Sequence, residues 1–155
     1  MKSKIKRDKK NVTLYSFIKD KGFNKIKLKK SKVGHYHVEG KVNGKKAEFI
    51  LDTGASASVL DQARIAYFDL KPKEHNAKAS GLGATDFKVQ RSINNKMILG
   101  KLLIGSYALK IIDLSHVNRA LRSKGVKQID GVIGADILNK KKAIIDCGNL
   151  TMYLK

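Results

Sequence analysis

The sequence Phe49-Ile50-Leu51-Asp52-Thr53-Gly54-Ala55-Ser56 has an acidic residue directly after three apolar ones. Three consecutive apolar side chains predict a strand that is buried on both faces. A carboxylate at the end of such a strand lies at the edge of the core, where it is unfavourable unless it is hydrogen-bonded or used in chemistry. Asp52 is therefore the first candidate functional residue.

The residues before this stretch predict a β-hairpin. Residues 35–42 and 45–51 flank Asn43-Gly44, a dipeptide that fits the two left-handed positions of a type I′ turn. The two flanking runs should pair as antiparallel strands. This pairing predicts that the second strand ends at Leu51, immediately before the carboxylate.

Length and composition limit the class of protein. The chain has 155 residues, of which 42% are hydrophobic, and this length is sufficient for one domain with a substantial core. Its one cysteine, Cys147, excludes a disulfide framework, and we expect it to be a buried small side chain. We expect no membrane span, because no apolar run approaches about 18 residues. The basic start lacks an apolar leader core, so we expect a cytoplasmic protein.

The positive charge is concentrated in the first part of the chain. The chain has 33 Lys and Arg against 13 Asp and Glu, a formal net charge of +20. Residues 1–34 contain 13 of these basic residues and only Asp8 and Asp20 as acidic ones, which predicts a basic arm. The arm could attract phosphates or acidic proteins, but it contains no nucleic-acid-binding motif. Nucleic acid is therefore a possible partner that the sequence does not favour.

Turn residues and apolar spacing predict the remaining elements. In chain order, we expect a helix near residues 13–21 ended by Gly22, a strand at 25–29, a short helix capped by Asp61, a glycine-rich tip at 80–84 followed by a strand at 87–91, two strands around Gly105, a helix at 115–123 ended by Gly125, and closing strands within 142–154.

Four of these features occur together in the order of a known family. They are the Asp52-Thr53-Gly54 triplet after a buried strand, the Gly81-Leu82-Gly83 tip, the apolar segment containing Val132-Ile133-Gly134, and the terminal pair of strands. Over residues 35–155 the chain resembles the retropepsin-like aspartic proteases. The resemblance implies an all-β fold, a retropepsin-like acid protease barrel lobe with short helices, preceded here by the basic arm and short helix of residues 1–34.

The resemblance also implies roles for individual residues. Asp52 would be the catalytic residue, with Thr53, Gly54 and Ala55 in the active-site loop; Gly81, Leu82 and Gly83 would form a flap over the substrate; and Leu60, Leu82, Val132 and Ile133 would line apolar substrate pockets. Val132-Ile133-Gly134 would support the catalytic loop, and Asp136 would cap the helix that follows. No cofactor or metal is implied, although His35 and His37 lie two residues apart.

Catalysis of this type requires two carboxylates that share one proton, so that one acts as a base towards water while the other donates to the substrate carbonyl. The chain has one Asp-Thr-Gly triplet. Its nearest match, Ile144-Ile145-Asp146-Cys147-Gly148, has Cys where the hydroxyl is needed, so we interpret Asp146 as a carboxylate in a turn and not as a catalytic residue. We therefore expect a two-fold symmetric homodimer in which each chain contributes one Asp52.

Two other functions remain open. The chain could keep the fold as a catalytically silent binding or scaffold domain, or it could be a basic nucleic-acid-associated protein that acts through its arm. For a protease, Ala55 predicts the pH range, because the related two-lobed pepsins usually have a hydroxyl side chain at this position. Without that donor we expect activity to peak at mildly acidic pH.

Overall fold

The computed structural model of the protein describes residues 12–74 and 89–155. These residues form mainly strands, and the fold class expected from the sequence is confirmed. The strands in this part of the chain are β1 Asn24–Lys27, β2 Lys29–Lys30, β3 Tyr36–Val42, β4 Lys45–Leu51, β5 Val59–Asp61, β6 Pro72–Glu74, β7 Gln90–Leu99, β8 Leu102–Ile112, β9 Gly131–Ile133, β10 Ile144–Asp146 and β11 Thr151–Leu154. The helices are α1 Leu14–Ile18, α2 Ser115–Ser123 and α3 Ala135–Lys140. None of the described helices is long and apolar enough to cross a membrane.

The larger of the two sheets in the described residues closes on itself. Its strand order is β2-β3-β4-β9-β5-β8-β7-β6, and β3 also pairs with β7. The resulting ring of strands encloses the main apolar core, whose largest fully buried side chains include Phe49, Phe68 and Leu60. The smaller sheet has the order β1-β11-β10.

The predicted hairpin is confirmed. Asn43 and Gly44 have φ angles of 49° and 84°, the two left-handed positions that a type I′ turn requires. The Asn43 side chain also fixes the turn to the barrel, because its amide donates to the carbonyl of Phe68 at 2.9 Å and its oxygen accepts from the Lys96 N–H at 2.9 Å. The turn thus sets the register of β3 and β4, with Tyr36 opposite Leu51.

Strand β4 is buried on both faces, as its run of apolar residues predicts. Phe49 and Leu51 point into the main core, whereas Ile50 packs into a second apolar cluster with Leu121 and Val126. That second cluster lies under α2, which begins and ends where the sequence predicts, with Gly125 in a left-handed conformation just after it. The strand that carries Asp52 at its end is therefore held from two sides.

Two sequence predictions were wrong. The turn between β7 and β8 is at Gly100 (φ 57°), and Gly105 (φ 119°) lies inside β8 next to an irregularity in the ladder. A glycine with positive φ in a strand accommodates a bulge as readily as a turn, and the sequence does not distinguish the two. Cys147 is exposed and is not a buried side chain, because it follows β10 in the turn before β11.

The division at residue 34 remains a prediction, and the structure adds pairings that cross it. Strand β1 pairs with β11 at the carboxyl end of the chain, and β2 pairs with β3. Ile26 and Leu28 belong to the main core. The predicted helix is confirmed as α1 followed by a 3-10 turn that ends at Gly22 (φ 84°). Residues 24–30 are thus integral to the folded body.

Asp61 has a larger structural role than its predicted cap. Its carboxylate accepts from the Ala63 N–H at 3.2 Å, as predicted, and also from the Asn118 amide at 3.0 Å and the Leu114 N–H at 3.3 Å. Asn118 in turn exchanges two hydrogen bonds with the main chain of Ile129. This buried network ties β5 to α2 and to the segment that enters β9.

Loss of this network should be measurable as a loss of stability. We expect Asp61→Ala to lower the free energy of unfolding by about 2 kcal/mol, because it leaves buried donors of Asn118 and Leu114 without an acceptor. Urea denaturation at neutral pH measures the change. Glu39→Ala is the matched control, since the exposed Glu39–Lys29 ion pair is screened by water and should contribute little to stability. Equal effects of the two substitutions would contradict the role given to Asp61.

Candidate active site

The Asp52 carboxylate stands at the end of β4 on a short, hydrogen-bonded loop. The main-chain N–H of Asp52 donates to the carbonyl of Ile133 at 3.0 Å, which continues the parallel pairing of β4 with β9. Its Oδ1 accepts from the Gly54 N–H at 2.9 Å. The side chain is exposed in the single chain, as are Thr53 and Gly54. The buried strand therefore presents one carboxylate, held by a main-chain donor, at the protein surface.

The segment after β9 packs against the main chain of this loop. The Ala135 N–H donates to the carbonyl of Ala55 at 2.7 Å. Gly134 passes so close to the loop that a Cβ at this position would lie 2.7 Å from the Ala55 carbonyl oxygen and 2.7 Å from the carbonyl carbon of Ala57. Only glycine, which has no Cβ, allows this approach.

Ser58 and Asp136 together fix the far end of the loop, a pairing that was not predicted from the sequence. Ser58 donates to Asp136 Oδ1 from its N–H at 2.9 Å and from its hydroxyl at 2.6 Å, and the same hydroxyl accepts from the Gly134 N–H at 2.9 Å. The N-cap position of α3 is Gly134, but Asp136, predicted to cap this helix, does accept from a first-turn donor, the Ile137 N–H, at 2.8 Å. Asp136 lies in the first turn, where its carboxylate binds the loop. No local motif pairs these two residues, which lie far apart in the chain.

The residues predicted to line substrate pockets lie mostly in the core. Leu60 and Ile133 are fully buried in the main cluster, with 0% exposure each, so neither presents a surface to a ligand in this structure. Val132 is half-buried and packs against the second cluster. The predicted flap residues Gly81, Leu82 and Gly83 lie outside the described residues.

An open cavity of about 300 Å³ lies beside the loop, on the side of α3. Its lining includes Thr53 from the loop, Leu138 and Asn139 from α3, and Ile145 from β10. The cavity therefore connects the Asp52 loop to the surface formed by α3 and β10. Thr53 is the residue of the Asp52 loop that faces it.

Asp146, which follows Ile144 and Ile145, has the surroundings of a turn carboxylate. Its Oδ2 accepts from the Asn149 amide at 2.8 Å, and its Oδ1 accepts from the Asn149 N–H at 3.0 Å. These two hydrogen bonds, the side-chain one first, hold the pKa of Asp146 below its ordinary value. A carboxyl group held in its ionised form by local donors is poorly suited to sharing a proton.

The histidines do not form a metal site in the described part of the chain. His35 is exposed and precedes β3, whereas His37 is buried with its Nδ1 3.2 Å from the Glu48 carboxylate. Among the described residues, no group of three or more His, Cys, Asp or Glu side chains is placed to hold a metal ion.

Among the solved structures that this chain resembles, three come from different organisms or viruses. The chain resembles the retroviral protease-like domain of Ddi1 from Leishmania major (TM-score 0.51, 15% identity, 77% of this chain and 93% of that chain covered). It also resembles a retropepsin-like aspartic protease from Rickettsia conorii (TM-score 0.52, 17% identity, 85% and 90% covered). A third similar structure is EIAV protease complexed with the inhibitor HBY-793 (TM-score 0.54, 15% identity, 76% and 98% covered). At these identities the likeness establishes the fold.

Sequence comparison identifies the family. No curated protein sequence matches the chain. The family model described as aspartyl protease matches residues 38–137, which is more than half of the chain and includes β4, the Asp52 loop and the Gly134 segment. With the retropepsin-like fold and the Asp-Thr-Gly loop at the end of a buried strand, the chain belongs to the aspartyl protease family.

Proposed function

We propose that the protein is an aspartic endopeptidase that hydrolyses peptide bonds as a homodimer. The observation that carries the proposal is the Asp52 carboxylate, which is exposed at the end of a buried strand and accepts a hydrogen bond from Gly54. A buried strand supplies rigidity, and an exposed carboxylate supplies access to substrate and water. This combination suits a catalytic base more than a structural carboxylate.

The reaction requires a second carboxylate, and symmetry supplies it. In the proposed dimer the two-fold axis runs between the Asp52 loops, so that like-charge repulsion leaves one proton shared by the pair. One carboxylate takes a proton from water, and the other donates to the substrate carbonyl. The exposure of Asp52, Thr53 and Gly54 in the single chain supports this arrangement, because a loop that meets its copy must be uncovered in each protomer.

Other members of the site have supporting roles in the proposal. The Thr53 hydroxyl can hydrogen-bond the main chain of the second copy, and Gly54 permits close approach of the two loops. Gly81, Leu82 and Gly83 would close over an extended peptide, an assignment that comes from the sequence alone. Residence in the cytoplasm belongs to the same proposal and is supported by the single cysteine.

Cleavage of a randomised peptide library tests the proposed activity. The wild-type protein should cleave peptides, and a pepstatin-like transition-state mimic should inhibit this cleavage. The Asp52→Asn variant should not cleave peptides. If the wild-type protein and the variant are equally inert between about pH 4 and pH 7, where carboxyl groups titrate, the silent scaffold becomes the better description.

The pH dependence of cleavage should reflect that position 55 is alanine and has no side-chain hydroxyl. Within the described residues of one chain, the Gly54 N–H is the only hydrogen-bond donor to the Asp52 carboxylate. We expect the wild-type optimum in the mildly acidic range. Ala55→Ser should move it down by about one pH unit, because an added donor favours the ionised carboxylate. Profiles of kcat/KM against pH measure this. A wild-type optimum below about pH 3, or an upward shift in the variant, would contradict the assignment.

A further inference from the structure

The start of helix α1 presents apolar side chains that the rest of the described chain leaves uncovered. Val12 is 76% exposed, Phe17 65% and Leu14 39%. Leu14 and Phe17 are three residues apart, so they are neighbours on the helix surface. Thr13 is the N-cap of α1, and in such a helix start the residue before the cap lies beside the fourth helical residue, which places Val12 next to Phe17. We call these three residues the α1 patch.

Other residues of α1 hold the helix on the folded body. Ile18 is buried, and the ring of Tyr15 stacks on the ring of Tyr153 in β11 with their centroids 6.1 Å apart. The Thr13 hydroxyl oxygen accepts from the Ser16 N–H at 3.1 Å, which caps the helix. The α1 patch is therefore an ordered, convex part of the surface beside the smaller sheet.

Lysines lie directly beside these apolar side chains. The ammonium group of Lys21 is 5.0 Å from the centre of the Phe17 ring, and that of Lys25 is 5.8 Å from the centre of the Tyr15 ring. Neither lysine has a carboxylate within ion-pair distance in the described chain. Residues 1–34 contain 13 basic residues and two acidic ones. The α1 patch thus lies within a strongly positive part of the chain.

An anionic lipid surface matches both properties of this region. The boundary between headgroups and acyl chains accepts apolar side chains, and the headgroup phosphates attract lysines. A second copy of the chain would instead bring two lysine-rich surfaces together. A nucleic acid would satisfy the lysines and could stack on Phe17, but it offers no apolar environment for Val12 and Leu14. The charge and the aliphatic side chains together favour the lipid.

We propose that the α1 patch binds reversibly to the surface of an anionic lipid bilayer. Val12, Leu14 and Phe17 enter the boundary between headgroups and acyl chains, while Lys21 and Lys25 remain at the level of the phosphates. The helix lies on the membrane and does not cross it. This contact does not depend on the proposed peptidase function, because it uses no residue of the Asp52 loop.

Sedimentation with lipid vesicles tests the contact. The full-length wild-type protein should bind vesicles of about three parts phosphatidylcholine to one part phosphatidylglycerol at least tenfold more tightly than vesicles of phosphatidylcholine alone. High salt should weaken this binding. Equal binding to both kinds of vesicle, or binding to neither, overturns the proposal.

Two pairs of variants separate the apolar contribution from the charge. Leu14→Ser, Phe17→Ser should weaken binding to the anionic vesicles about tenfold or more, and Lys21→Glu, Lys25→Glu at least about twentyfold. The matched controls are Ile93→Ser, Leu103→Ser, which replaces exposed apolar residues of β7 and β8, and Lys46→Glu, Lys124→Glu, which reverses exposed lysines elsewhere. Both controls should bind as the wild-type protein does. If the serine variant of α1 also binds normally, the contact is electrostatic alone and the proposed insertion is wrong.

A single introduced tryptophan reports insertion directly. The chain has no tryptophan, so Phe17→Trp gives one emission band from the α1 patch. Its emission should shift to the blue with anionic vesicles, and lipids brominated near the headgroup should quench it. Tyr67→Trp, at another exposed aromatic position, should show neither effect. Binding to vesicles without a blue shift at position 17 contradicts the proposal.

Two further measurements on the same variants distinguish the other occupants. If the wild-type protein ignores vesicles, and Leu14→Ser, Phe17→Ser converts a dimer into a monomer in analytical ultracentrifugation, the α1 patch is an interface between copies. If the wild-type protein ignores vesicles but binds a single-stranded oligonucleotide that this variant does not bind, the partner is a nucleic acid. Either result overturns the lipid contact. Circular dichroism of the variant verifies that it is folded.

Discussion

Replacement of Asp52 by Asn should reduce kcat/KM for peptide cleavage by about a thousandfold or more, because the amide can neither accept a proton from water nor share one with a second carboxylate. The fold should persist. Asn retains a side-chain oxygen that can accept the Gly54 N–H hydrogen bond, and the Asp52 side chain is exposed in the single chain. Cleavage of a fluorogenic peptide chosen from library products, together with the circular dichroism spectrum of the variant, measures both effects.

Asp146→Asn is the matched control for this substitution. Asp146, like Asp52, follows two apolar residues and is replaced by its amide, but within the described residues its carboxylate hydrogen-bonds to its own turn. Activity of this variant should remain within about threefold of the wild-type value, as expected for a surface turn. If Asp146→Asn were inactive while Asp52→Asn remained active, the assignment of the catalytic carboxylate would be wrong.

The second large effect should come from Gly134→Ala, a substitution that leaves every side chain of the Asp52 loop unchanged. The added Cβ would approach main-chain atoms of Ala55 and Ala57 at 2.7 Å, far inside van der Waals contact. The φ angle of Gly134 is −104°, which alanine adopts freely, so the loss has a purely steric cause. We expect a loss of about 3 kcal/mol in the free energy of unfolding. Displacement of the loop by about 1 Å should also lower kcat/KM at least a hundredfold.

Gly148→Ala provides the comparison for this steric effect. A Cβ at Gly148 would make only an ordinary contact, 3.6 Å from Asp146 Oδ1. Stability should change by less than about 0.5 kcal/mol and activity should be retained. Thermal unfolding and peptide cleavage, measured on both variants, give the two readouts. Wild-type activity in Gly134→Ala would show that the β9 segment does not position the Asp52 loop.

Local chemistry explains which parts of the fold could be predicted. Three features could be predicted: the Asn43-Gly44 turn, the strand before Asp52 that is buried on both faces, and the glycine at position 134. Each depends on a backbone conformation or a close approach that few residue types allow. Each requirement is met within a few residues of sequence. The same applies to α2, whose end at Gly125 needs a left-handed residue.

The features that were missed depend on partners distant in sequence. Asp136 binds Ser58 in addition to the first turn of its own helix, and nothing near either residue in sequence indicates this pairing. Leu60 and Ile133 have the apolar character of either a pocket wall or a core residue, and only the closed barrel shows that they belong to the core. The cavity of about 280 Å³ that is lined by residues from β2, β3, β4 and the segment after α2 was also not predicted. These residues come together only in the folded chain.

Mixing wild-type and Asp52→Asn subunits measures most directly whether two Asp52 carboxylates form one active site. The two proteins are unfolded, mixed in equal amounts and refolded together, and peptide cleavage is compared with wild-type protein treated alone at the same total concentration. If each site needs both carboxylates, heterodimers are inactive, and about one quarter of the activity should remain. Retention of about half of the activity would mean that each chain acts independently, and it would contradict the paired Asp52 site.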